Sequence, residues 1–187
     1  MSDLLIPNVK NREEFRAWLA EHAQTERECW LCVKRGKPTD EKVFYYLDAV
    51  EEALCFGWID STQKSVNGVR LQRFSPRGKN SNWTELNKER VRRLKALGFM
   101  TEQGLAVFPP DNRPFRFDEE IVEELKKRGL WEQFTAFPPL YQRIRVSNVA
   151  FYRKRDPKAY ATALKNLIDH TQKGELFGEW NDYGRLL

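Results

Sequence analysis

Apolar residues at Phe15, Trp18 and Leu19 recur at i, i+3 and i+4 and predict a helix from Asn11 to about Gln24. Asn11 with Glu14 three residues on resembles a capping box at its start. Glu28 to Lys34, ECWLCVK, reads as a strand that Gly36-Lys37-Pro38 breaks. Leu47, Val50 and Leu54 share one face of a second predicted helix, Tyr45 to Phe56, and Gly57 stands where a C-terminal cap glycine belongs. Two extended runs follow, Trp58–Val66 and Val69–Phe74, joined by Asn67-Gly68. That dipeptide suits a type I′ turn, which needs positive φ at both positions, so the pair is predicted to be a β-hairpin.

A third helix is expected from about Asn82 to Leu97, with Asn82 as cap and Glu85 three residues on, stopping at Gly98. Thr101–Val107 reads as a short helix. The Pro-rich stretch Phe108–Phe117 is the best boundary. After it the pattern is helical: Asp118–Arg128, Leu130–Phe137, Leu140–Lys154 and Pro157–Lys173, with Pro139 and Pro157 suited to helix starts. The expected class is α+β. A small, mainly antiparallel sheet of about three strands carries helices in residues 1–108, and a helical module occupies residues 109–187.

Composition narrows the classes. Apolar residues make up 41% of 187, enough for a globular core. No run approaches the length of a membrane span, and the N-terminus carries no secretory pattern. An odd number of cysteines, three, fits a reducing compartment, so a cytoplasmic location is expected. Cys29-Trp30-Leu31-Cys32 lacks the further ligands a zinc site needs, and is read as buried core cysteines. No metal or other cofactor is expected. The net charge of +5 is unevenly spread: Lys64–Lys95 holds ten Lys/Arg against two acids. Such polarity favours an anionic partner at that end of the chain.

The turn and the helical phase sharpen this. If Asn67-Gly68 sets a regular register, Lys64 faces Leu71, Thr62 faces Arg73 and Asp60 faces Ser75. Alternation then places Trp58, Asp60, Thr62, Arg73 and Ser75 on one face, with Asp60 near Arg73. In the third helix Trp83, Leu86, Leu94 and Leu97 define an apolar stripe that Asn87 and Arg90 interrupt. Buried polar groups need partners, and either Asp60 or a bound anion would serve. The link Ser75–Asn82 leads into a helix N-terminus, where Arg77, Lys79 and Ser81 would add donors. The expected ligand set is Trp58, Asp60, Arg73, Arg77, Ser81, Trp83, Asn87 and Arg90. They would hold a small anionic or phosphorylated ligand between hairpin and helix, or else form a structural ion-pair cluster. Two further readings stay open: nucleic-acid binding by the basic stretches 64–95 and 143–158, and an enzyme using Asp60 as general base.

The runs EALCFGWIDS, RFSPRGKNSNWTELNKERVRRL and GFMTEQG, with FRAWLAEH and WLCVKRGK before them, resemble the YdeI/OmpD-associated family, also labelled bacteriocin-protection. The resemblance covers most of Asn11 to about Lys173. It implies a small bacterial protein with a binding or stress-protection role, and motif residues at Lys34, Trp58, Asp60, Arg73, Pro76, Arg77, Ser81, Trp83, Asn87 and Met100. It supplies no catalytic roles. The run from Pro157 to Leu164 departs from the acid- and arginine-bearing family pattern there.

Overall fold

The computed structural model describes residues 4–78, 81–110 and 114–186. The fold is α+β, with one three-stranded antiparallel sheet in the order β1-β3-β2. Its elements are α1 (Arg12–His22), β1 (Cys29–Leu31), α2 (Tyr46–Cys55), β2 (Trp58–Val66), β3 (Val69–Pro76), α3 (Glu85–Ala96) and α4 (Glu102–Val107). Five more follow: α5 (Glu119–Lys127), α6 (Trp131–Thr135), α7 (Pro139–Tyr152), α8 (Pro157–Lys173) and a short 3-10 turn, Asp182–Gly184. No helix among the described residues is long and apolar enough to cross a membrane.

The chain divides into two compact units. The N-terminal unit comprises residues up to Asn82 together with Arg90–Pro109, and the C-terminal unit comprises Trp83–Glu89 and Pro110 onward. In the first, Phe15 and Leu19 of α1, Leu47, Val50 and Leu54 of α2, Trp58 and Phe74 of the sheet, and Val91 and Leu94 form an apolar core. Phe15 is central, with its ring 5.7 Å from both Phe44 and Phe74. In the second, Ile121, Leu125, Phe134, Tyr141, Ile144, Val149, Leu167 and Trp180 pack together.

Caps and turns explain the element boundaries. The Asn11 side chain accepts the Glu14 amide at 2.9 Å, while the Glu14 carboxylate accepts the Lys10 amide at 2.8 Å, so α1 starts where the capping pattern places it. Asn67 and Gly68 take φ of 50° and 79°, the hairpin turn that the dipeptide favours. α3 starts three residues later than expected. Thr84, not Asn82, is its cap, since the Thr84 hydroxyl accepts the Asn87 amide at 3.2 Å.

Three other expectations are corrected. β1 covers three residues only, and Cys32 just past it is exposed while Cys29 is buried. Leu97 belongs to no buried stripe: it is 50% exposed, and the buried line of α3 runs through Asn87, Arg90, Val91 and Leu94. The hairpin register is regular from Val66↔Val69 to Gln63↔Gln72 and then slips, with Asp60 opposite Phe74 and Ile59 opposite Ser75. A bulge between Asp60 and Gln63 causes the slip, because it gives β2 an extra residue.

Candidate functional site

The bulge decides where the candidate residues go. Directly opposed residues share a sheet face, so Asp60 shares one with Phe74, and Arg73 shares the other with Trp30. Arg73 therefore does not pair with Asp60. Its Nε donates to Glu28 Oε2 at 2.7 Å and its Nη1 to Ser61 Oγ at 3.1 Å. Trp58 is not a ligand wall: it is 1% exposed, its indole N–H donates to the Ala23 carbonyl at 3.1 Å, and Trp18 meets it edge-on at 5.9 Å.

Gln72 stabilises the bulge. Its amide nitrogen donates to the carbonyls of Ser61 at 3.0 Å and Thr62 at 3.2 Å, two groups that the irregular pairing takes out of the ladder. Its amide oxygen accepts Arg35 Nη2 at 2.6 Å and Gln63 Nε2 at 3.1 Å. Gln72 is 3% exposed, so these contacts satisfy a buried amide.

Around this amide a polar cluster forms on the Asp60 side. The Tyr46 hydroxyl donates to Asp60 Oδ2 at 2.6 Å. The Arg35 guanidinium lies flat over the Tyr46 ring, 3.5 Å from its centroid. Both residues are placed by one segment: the Lys34 amide donates to the Phe44 carbonyl, and the Tyr46 amide donates to the Lys34 carbonyl, each at 2.9 Å. This pins the start of α2 beside Arg35.

Arg77 is 7% exposed and follows β3, with its amide on the Gly57 carbonyl at 2.9 Å and its Nη1 on the Asn82 carbonyl at 3.3 Å. Burial pushes its guanidinium down to about 10, against the pull of the Asp60 carboxylate. Burial and then the Asp60 charge push Tyr46 up to about 12, so Tyr46 is a neutral donor at physiological pH.

Tyrosine in an unfolded chain ionises near 10. The Tyr46 contribution is therefore complete below that pH and is lost as pH rises through about 12. The stability gap between wild type and Tyr46→Phe is expected to narrow over that window in urea titrations. A gap that stays constant contradicts the assignment.

The remaining candidates are more scattered. Ser81 is half-buried with its amide on the Gly78 carbonyl at 3.0 Å. Arg90 is buried in the N-terminal unit, and Trp83 and Asn87 belong to the C-terminal unit. Lys79 lies outside the described residues. Sequence reasoning missed Tyr46, Arg35 and Gln72. Gln72 carried a weak signal as an amide on a strand flanked by core residues.

It also missed a second polar cluster. Glu51 and Glu52 of α2 are 0% and 2% exposed. Arg12 bridges them, with Nε to Glu52 at 2.5 Å and Nη1 to Glu51 at 2.8 Å. Arg16 reaches Glu52 at 2.7 Å and Arg93 reaches Glu51 at 2.9 Å. Burial works against the Arg12 charge, yet Glu52 and Glu51 hold its pKa above the usual value. Here every acid meets arginine, so this cluster is a brace between helices. Among the described residues no group of three His, Cys, Asp or Glu is placed to hold a metal.

No curated protein and no solved structure matches the chain. A family model described as "Domain of unknown function (DUF8412)" matches residues 7–107, which include the bulged hairpin, Arg35, Tyr46 and both polar clusters. That match spans more than half of the sequence, and the chain belongs to the DUF8412 family.

Proposed function

We propose that this is a cytoplasmic, non-enzymatic binding protein of the YdeI/OmpD-associated type, with a stress-protection role, that holds a small anionic or phosphorylated ligand at Arg35. The observation that carries the reading is the state of Arg35. Arg35 is exposed, its guanidinium is stacked on Tyr46 and tied to Gln72, and among the described residues no carboxylate forms an ion pair with it. A cation already fixed in position loses little freedom on binding, and its planar fork suits a phosphate or carboxylate. Asp60 is engaged by Tyr46, and Arg77 nearby adds positive potential from a drier environment.

Phosphate, sulfate and nucleotides at high excess over Kd are expected to raise the melting temperature of the wild type by several degrees, since ligand at a hundredfold excess adds about 2.7 kcal/mol. Arg35→Ala removes that rise. Arg73→Ala, whose partner is Glu28 on the other sheet face, retains it. A wild type whose melting temperature none of these anions moves would sink the reading.

A further inference from the structure

Within the C-terminal unit one arginine of α7 differs from the arginines near it in sequence. Arg143 pairs with Glu89 at 2.9 Å, and Arg153 pairs with Asp118 and with Glu120. Arg145 meets no carboxylate among the described residues. Its guanidinium lies 4.3 Å from the Phe177 ring centroid and 5.4 Å from that of Tyr141. The Arg145 Nε is buried without a hydrogen bond, and so is the hydroxyl of Tyr141, one turn earlier and 0% exposed. The Phe177 backbone lies close enough to that hydroxyl to lower its pKa. Burial pushes the Tyr141 pKa up and the Arg145 pKa down, toward the neutral form of each. Two buried donors left unused cost about 1–3 kcal/mol apiece.

Residues 177–180 lie over this pair. Phe177 and Trp180 are the anchors, with ring centroids 6.1 and 5.7 Å from that of Tyr141. Gly178, at φ +68°, passes so close that a Cβ there would stand 2.6 Å from Arg145 Nη2. Beyond it Asp182 and Tyr183 both take positive φ, 50° and 58°, although neither is glycine. That conformation costs roughly 1–2 kcal/mol at Tyr183, whereas aspartate visits it more readily. Aromatic burial and the interactions of Asp182 and Arg185 hold the segment down, while backbone strain and the two stranded donors oppose it.

The geometry points to residues 177–186 as a displaceable strap over an anion site formed by the Tyr141 hydroxyl and the Arg145 guanidinium. Strap and anion compete for the same pair. Lifting the strap frees a guanidinium fork that takes two oxygens of a small oxyanion, with a phenol in reach of a third. This site lies in a different unit from Arg35 and stands independently of the function proposed above.

The test uses the full chain in an Arg35→Ala background, with inorganic phosphate as probe and calorimetric titration as readout. A covered site binds more weakly by its open fraction, so adding Trp180→Ala is expected to tighten phosphate binding at least about fivefold. Adding Arg145→Ala as well abolishes that gain. No gain with Trp180→Ala, or a gain that survives Arg145→Ala, overturns the proposal. If Trp180→Ala fails to fold, hydrogen exchange on the wild type decides. Phosphate should speed exchange in residues 177–186 and leave α7 and α8 unchanged, and an unchanged or slowed strap overturns the proposal.

Discussion

Gly104→Ala is expected to destabilise the N-terminal unit by roughly 3 kcal/mol or more, enough to unfold a marginal domain. A Cβ at this position of α4 would stand 2.2 Å from the Cys55 carbonyl oxygen, 2.7 Å from its carbon and 2.9 Å from the Leu54 oxygen. All three are backbone atoms at the C-terminus of α2, so no side chain can swing away. The carbonyl is also held in place: the Thr101 amide and hydroxyl both donate to it, at 3.1 and 2.6 Å. Backing α4 off would break both bonds and strand a carbonyl that α2 cannot satisfy itself. Gly129→Ala is the control. It lies in open space at φ +69°, so only the left-handed backbone resists the change, at about 1–2 kcal/mol. Urea denaturation of the two variants separates crowding from backbone strain, and equal midpoints would contradict the close approach.

Glu52→Ala is expected to cost about 3 kcal/mol, near the low end for removing one partner of a buried ion pair. The low end applies because Arg12 and Arg16 keep 27% and 36% of their side-chain surface and can turn partly to water. Glu51→Ala should cost a similar amount through Arg12 and Arg93. Because Arg12 serves both acids, the double variant should lose clearly less than the sum of the two. A double-mutant cycle by chemical denaturation reads this directly, and strict additivity would show that Arg12 does not couple them.

Much of the architecture was legible because it rests on local chemistry. Asn67-Gly68 is a turn since both residues adopt positive φ readily, and Asn11, Gly57, Pro139 and Pro157 mark helix ends through capping or ring constraints. The site was less legible because it depends on a long-range correction. Alternation counted back from the turn is right to Gln63, and one extra residue in β2 then moves Arg73 to the face opposite Asp60. Nothing in β2 alone announces the bulge. Its cause lies across the ladder, in the Gln72 amide that bonds the displaced carbonyls. Arg35 and Tyr46 went unnoticed because Lys34 joins two segments that read as separate elements. The brace was half visible: two adjacent acids within the otherwise apolar AVEEALCF, which a helix buried on one face would not need, imply cations from neighbouring helices.

The bulge also bears on how copies of this chain behave when crowded. β2 is an outer strand of nine residues, most of them exposed, and a flat strand of that length is a template on which another molecule can add its own. By breaking the even spacing of the backbone groups, the irregularity at Asp60–Gln63 interrupts that template, and the exposed Lys64 beside it repels a like edge. A one-residue deletion at Ser61 or Thr62 would make the hairpin more regular, and in doing so would turn a self-limiting edge into a seed for fibrous stacking.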